Sequence, residues 1–308
     1  MKKIILSCIA LIIFTAAISH CGVGTTGSQF LKILPSARGS ALGGAFSAVS
    51  KDVYSIYWNP AGLVGIDSPK VSFTYLNYFS SVDYGFIGYA DGSDNYSFGG
   101  ALTYLNVGKI PAREEDTVEP DRYFNAQDTA LILSGAKKDA VPNVLEDLSL
   151  GANLKLISGE IDQNSGFTLA FDIGGLYQVI PDYLCVSLVL QNISWGIKYE
   201  HEYDMLPLNL KAGFAYRPPD LDITFLGEID EYIIDEKFYL STGIEYFPVK
   251  QLFLRGGYRL GYDTASLGSE VGLAGGVGVN VWNISLDYAF LPFGDLGDTH
   301  RVTLSADF

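Results

Sequence analysis

The chain ends on Arg301-Val302-Thr303-Leu304-Ser305-Ala306-Asp307-Phe308. Successive side chains of an extended strand point to opposite faces, so Val302, Leu304, Ala306 and Phe308 share one face and Arg301, Thr303, Ser305 and Asp307 the other. One face suits hydrocarbon and the other suits water. Such a strand fits the edge of a soluble sandwich or the last stave of a membrane barrel, where pairing with the first strand leaves no open edge in the bilayer. The segment alone leaves both open.

Working backwards, the same period of two runs through most of the chain from Lys70 onward. Leu148, Leu150, Ala152, Leu154 and Leu156 oppose Ser149, Gly151, Asn153 and Lys155; Leu208, Leu210, Ala212, Phe214 and Tyr216 oppose Asn209, Lys211 and Arg217. Leu254, Tyr258 and Leu260 oppose Arg255 and Arg259, and Ile284, Leu286, Tyr288 and Phe290 oppose Ser285 and Asp287. Val82 to Ala90 reads as a strand whose facing cannot be assigned. Asn106 to Gln127, with Pro111, Pro120 and a charge run, reads as a long external loop, and Asp139 to Asp147 as a polar turn with room for one helical turn. Counting the final strand gives about fourteen. Strands of about 10 to 13 residues match a tilted bilayer crossing, whereas sandwich strands are shorter. The apolar face of each clear strand is free of charge while the other gathers it. The predicted fold is therefore all-β, a transmembrane antiparallel up-and-down barrel of about fourteen strands. Its interior is expected to be polar, with Lys211 near Glu228 and Asp230, Glu245 near Arg255, and Asp287 near Arg301 on neighbouring strands.

Composition agrees. The chain of 308 residues carries 34 Gly, 20 Tyr and 18 Phe but only 2 Met, which fits aromatic girdles and tight barrel walls better than a helical core. Acids outnumber bases 35 to 20, a net charge of −15, which argues against nucleic acid as a partner. Residues 1–21 read as a secretory signal: Lys2 and Lys3, an apolar run from Ile4 to Ile18, then small residues with Ala17 and Ser19 placed for cleavage. Cys21 raises lipoprotein processing as a rival, although His20 stands where such a site wants a small residue. Cys8 leaves with the leader, so Cys21 and Cys185 supply no disulfide framework.

Between the leader and the strands, residues 22–66 do not alternate. Leu34 to Val49 places small and apolar residues at roughly helical spacing, and Asn59-Pro60 with Gly62 forces two reversals. A compact, partly helical segment ahead of a barrel spanning 67–308 fits either a hatch in the barrel mouth or an extension covering one end of the sheet.

Catalysis is the weakest reading. Of His20, His201 and His300, only His300 falls on a strand, where Ser285 and Asp287 of the neighbouring strand are the partners a lipid hydrolase would need. No His/Cys/carboxylate spacing predicts a metal, and the glycines at 272–278 are not followed by the helix a phosphate cradle needs, so no cofactor is expected. A conduit reading singles out the inward Arg255 and Arg259, with Lys211 and Glu245, as lumen candidates for an amphipathic ligand. A carboxylate would pair with an arginine while its tail lies on Phe or Tyr, and the small residues from Gly272 to Gly278 would leave it room. The bland alternative is that Glu245 and nearby acids satisfy both arginines.

Ala37-Arg38-Gly39 with Ala41-Leu42-Gly43-Gly44-Ala45, then Trp58-Asn59-Pro60-Ala61-Gly62-Leu63, and finally Pro292-Phe293-Gly294-Asp295-Leu296-Gly297 before His300-Arg301 resemble the PorV/PorQ family of outer-membrane proteins. That family is similar to the FadL-type transporters of long-chain fatty acids and other hydrophobic compounds. The resemblance implies a fourteen-stranded barrel in the outer membrane with an N-terminal hatch marked by Arg38, Trp58, Asn59, Pro60 and Gly62. It implies insertion among outer-membrane lipids by the barrel assembly machinery, read from the closing strand Val302, Leu304, Ala306 and Phe308. It also brings in a second partner class, because the family's best-known branch serves type IX secretion by binding exported proteins.

Overall fold

The computed structural model describes residues 24–78, 82–113, 115–116, 118–142, 145–199 and 202–308. The expected signal sequence with Cys8, His20 and Cys21 lies outside these residues, as does His201. The strands are β1 (Lys70–Tyr78), β2 (Val82–Gly92), β3 (Tyr96–Ala112), β4 (Arg122–Lys137), β5 (Leu148–Ile161), β6 (Asn164–Ile180) and β7 (Leu184–Ser194). A two-residue pair, β8 (Ile197–Lys198) and β9 (Tyr203–Asp204), follows within the next connection. Then come β10 (Asn209–Tyr216), β11 (Ile223–Tyr232), β12 (Lys237–Val249), β13 (Leu252–Leu260), β14 (Leu273–Val281), β15 (Ile284–Pro292) and β16 (Asp298–Asp307). All but β8 and β9 form one closed barrel of fourteen strands, each antiparallel to its chain neighbours, sealed where β1 meets β16 with Phe73 opposite Leu304.

The closing strand faces as its alternation requires. Val302 and Leu304 are 47% and 48% exposed on the outer wall, while Arg301 and Thr303 are 2% and 1% exposed inside. Outward leucines, valines and aromatics recur around the barrel, from Phe73 and Ile87 to Leu254 and Leu286. That surface is dressed for hydrocarbon. Short turns at 250–251 and 282–283 mark one rim, which also holds Pro69 and Phe308; the longer connections 195–208 and 261–272 mark the other.

Residues 24–69 run down the inside. Thr26 and Lys32 bind Asp235 at the long-loop rim, at 3.0 and 2.8 Å, and Pro69 leads into β1 at the short-turn rim. A 3-10 turn (Gln29–Lys32) precedes helix α1 (Ala37–Ala41), whose cap Ser36 accepts from the Gly39 amide. Helix α2 (Ser55–Trp58) leads to a second 3-10 turn (Pro60–Leu63), started by Asn59 accepting from the Ala61 amide with Pro60 in first position. This segment supplies much of the apolar core: Phe46, Ile56, Trp58 and Leu63 are fully buried against Leu76, Tyr84, Phe86, Ile132 and Ile157 of the wall.

Three expectations need correction. The interior is not polar all round, because Tyr84, Phe86 and Ala90 of β2 point inward onto that core while Ile87 and Tyr89 point outward. With both faces apolar, the strand carries no alternation. Asn106 to Gln127 is mostly strand: β3 runs to Ala112, β4 starts at Arg122, and a register shift between Val107 and Ile110 absorbs the irregularity. These ends stand clear of the apolar belt, where both faces meet water and the binary pattern fades. In 139–147 the described residues form no helix but an isolated bridge between Val141 and Leu145. The long connection 195–208 is tightened by the β8–β9 pair.

Candidate functional site

The inner segment is seated through glycines of the wall. A Cβ on Gly151 would collide with the backbone of Pro60 and Ala61, and one on Gly174 with the Asn59 side chain. Asn59 donates to the carbonyls of Ser47 and Gly175 at 2.9 and 3.2 Å, tying the reversal to itself and to β6. Asn153 and Gln191 donate to the carbonyls of Ile56 and Tyr57, at 2.8 and 2.6 Å, satisfying the end of a helix too short to do so alone. Trp58 donates to the Gly44 carbonyl at 3.1 Å, and its ring fills the space beside Gly39. Gly62 is needed because a Cβ there would meet the Val49 carbonyl at 2.5 Å. On the opposite side, Gly243 and Gly257 make room for Leu42, and Gly276 for Ala41. The small wall at 272–278, read from sequence as room for a ligand, here seats α1.

Charge holds the same segment. Arg38 of α1 forks onto Glu245, with Nε and Nη2 at 2.9 and 2.8 Å from the two carboxylate oxygens, and reaches Asp52 at 3.0 Å. Glu245 also accepts from Arg255 Nε at 2.8 Å, and Arg255 pairs with Asp287. Burial alone would lower the Arg38 pKa; the charge of Glu245, then that of Asp52, outweighs it and the net shift is upward. Arg38 therefore stays charged throughout the physiological range. On the facing wall Lys211 pairs with Glu228 and Asp230 at 3.1 and 2.7 Å, and Glu228 in turn accepts the Phe46 and Ser47 amides at 3.0 and 2.6 Å. Near the seam, Ala37 donates to Thr303, which shares a hydrogen bond with Thr74, itself bonded to the Tyr54 phenol. Burial pushes that phenol's pKa upward, so it remains a neutral hydroxyl.

The space on the two sides of this clamp differs. At the short-turn rim a cavity of about 220 Å³ is bordered by Arg38, Lys51, Asp52, Lys70, Arg255 and Asp287. Toward the long-loop rim the space is nearly filled. Arg259 lies over the Tyr239 ring, 4.2 Å to its centroid, and reaches Asp230 at 3.3 Å, with Nε unpartnered among the described residues. Arg301 is also buried there, and Phe293 packs between Tyr78 and Tyr262, with ring centroids 5.9 and 6.0 Å apart.

Of the lumen candidates, Glu245, Arg255 and Lys211 are thus brought into ion pairs that also hold the inner segment, and Arg259 is the least satisfied. The pairings Lys211 with Glu228 and Asp230, and Glu245 with Arg255, are as the strand register requires. Asp287 is not paired with Arg301: it lies opposite Thr303, and its partner is Arg255, two strands away. Arg255 reaches across because Gly276 and Gly278 of the intervening β14 have no side chains, and a Cβ on Gly278 would meet both charged groups. The hydrolase arrangement is not formed: His300 faces outward and bonds to the Tyr288 hydroxyl at 2.7 Å, on the opposite side of the wall from Asp287. Asp52, Asp235 and Thr303, which also fasten the segment, carry no sequence signal, since each is an ordinary polar residue until the fold sets it opposite its partner.

A closed barrel whose lumen is stopped by its own N-terminal segment, clamped by buried ion pairs, defines a class of plugged membrane barrels. Residues 17–220 match the family described as "Type IX secretion system protein PorV", and the chain belongs to that family. No curated protein matches it in sequence. Among solved structures it is similar to the Ralstonia pickettii toluene transporter TbuX, with a TM-score of 0.62 at 12% identity, covering 89% of this chain and 98% of that one. The Pseudomonas putida toluene transporter TodX gives 0.62 at 11% identity over 93% and 99%. A Pseudomonas aeruginosa FadL homologue gives 0.59 at 12% identity over 89% and 98%. At these identities the likeness is one of fold.

Proposed function

We propose that the protein is an outer-membrane barrel that binds or conducts hydrophobic and amphipathic small molecules, long-chain fatty acids among them, past its N-terminal hatch. The observation that carries this reading is a hydrocarbon-facing barrel whose lumen is closed by a segment held through ion pairs and hydrogen bonds, contacts that can be exchanged locally without opening the wall. The solved barrels it resembles include transporters of toluene, which supports the same class of cargo. In this reading residues 1–21 direct export, the barrel assembly machinery inserts the chain, the short-turn rim faces the periplasm, and the long loops face outward. Arg255, Arg259, Lys211 and Glu245 border the route, and the hatch residues Arg38, Trp58, Asn59, Pro60 and Gly62 set whether it is open. No chemical step is assigned to it.

The test is lipid extraction and mass spectrometry of protein purified from outer membranes in detergent. Bound hydrophobic or amphipathic small molecules, long-chain fatty acids among them, are expected at near-stoichiometric amounts. The family's description favours a second reading, in which the barrel anchors or binds exported proteins at its rim. Co-purified secreted proteins with no bound lipid would replace the first reading by that one.

A further inference from the structure

The wall strands bury five basic side chains: Lys155, Lys211, Arg255, Arg259 and Arg301. Four have a carboxylate within ion-pair distance: Asp172 for Lys155, Glu228 and Asp230 for Lys211, Glu245 and Asp287 for Arg255, and Asp230 for Arg259. Arg301 has none among the described residues, and its Nε and Nη1 are buried without any hydrogen-bond partner. A guanidinium in that position has given up its hydration, and neither Nε nor Nη1 gains a partner in exchange. Its surroundings explain why no protein acid relieves it. The polar groups nearest to it are phenols, those of Tyr57, Tyr78, Tyr84 and Tyr262, and the register sets Leu76 and Ala289 beside it on the adjoining strands. Both residues are fully buried. Apolar surface at the flanks and one positive charge with no carboxylate partner among the described residues describe a receptor for a monoanion with a hydrophobic body.

We propose that Arg301 is an anion-binding residue that takes the carboxylate of an amphipathic molecule on the outward side of the hatch. The inference rests on the conduit reading above and narrows it from hydrophobic molecules in general to those with an acidic head. The unpartnered guanidinium N–H groups can donate charge-assisted hydrogen bonds to an acid oxygen, and a single positive charge balances a carboxylate rather than a phosphate dianion. A neutral hydrocarbon would leave the charge as it stands. Arg301 lies three residues, about 10 Å of strand, inside the start of β16, on the long-loop side of the lumen.

The experiment compares binding of a fluorescent long-chain polyene acid with that of its methyl ester, using detergent-purified protein and the variants Arg301→Met and Arg301→Lys. The native chain should bind the acid at least about 10-fold tighter than the ester, the range for a charge-assisted hydrogen bond. Arg301→Met should bind both equally, at the ester's affinity, and Arg301→Lys should recover part of the preference. Folding is checked by heat-dependent mobility on gels; removing an unpaired charge should not weaken the barrel. Equal binding of acid and ester by the native chain, or an undiminished preference in Arg301→Met, overturns the assignment and leaves the conduit reading intact. Binding of neither probe overturns both.

Discussion

Glu245→Gln should loosen the hatch without opening the wall. The Glu245 carboxylate is 5% exposed and takes three charged hydrogen bonds, two from Arg38 at 2.9 and 2.8 Å and one from Arg255 at 2.8 Å. Breaking a buried pair by removing one partner costs about 3–5 kcal/mol. Here the figure is lower, because Arg38 is partly exposed and keeps Asp52, Arg255 keeps Asp287, and the amide still accepts through its oxygen. About 2 kcal/mol is reasonable, equivalent to a roughly 30-fold rise in the population of locally detached hatch. Hydrogen exchange followed by mass spectrometry in micelles reads this directly, since the Ala37 amide donates to Thr303 and those of Phe46 and Ser47 to Glu228. Peptides covering 36–49 should exchange about 30-fold faster, while those from β12 and β13 stay slow. Unchanged exchange over 36–49 would refute the clamp; acceleration spread equally into β12 and β13 would show that the carboxylate supports the wall instead.

Other substitutions test the seating and the facing. Gly174→Ala drives a methyl into the Asn59 side chain and should lower the temperature at which the hatch protects against protease, at a cost of roughly 1–3 kcal/mol for overpacking. Asn59→Ala removes a cap and two bonds to carbonyls, and about 1–2 kcal/mol of hatch stability should go with them, seen as faster exchange at the Ala61, Gly62 and Leu63 amides. Leu304→Arg puts a charge on the bilayer-facing wall, where the cost is roughly 2–4 kcal/mol near the midplane, and should reduce the folded fraction in liposome refolding. Leu304→Phe should refold normally.

Most of the barrel was legible because lipid outside and polar contacts inside impose opposite chemistries on alternate residues. β5, β10 and β16 declare their facing on that basis alone, and ion pairs between adjacent strands, such as Lys211 with Asp230, follow from hairpin register. Legibility failed wherever one of those two conditions lapsed. β2 presses Tyr84 and Phe86 onto the hatch, so its two faces look alike, and the far ends of β3 and β4 are wet on both sides. The partner of Asp287 is not legible in the sequence, because side-chain reach across the glycines of β14 depends on an empty space, which a pattern of present residues does not register. The hatch motifs were visible as turns and small residues, but which wall glycine receives which hatch residue is a property of the closed barrel.

The core shared between hatch and wall limits how a passage can form. Withdrawing the whole segment into the periplasm would bring Phe46, Ile56, Trp58 and Leu63 into water together with the wall residues they cover. At about 2 kcal/mol for each large apolar side chain, that is on the order of 10 kcal/mol before any wall residue is counted. A cork pulled from a bottle is therefore the wrong image. Traffic through this barrel would proceed by small repacking around a stopper that never leaves, and cargo dimensions would be policed by how far a few rings and turns can lean aside.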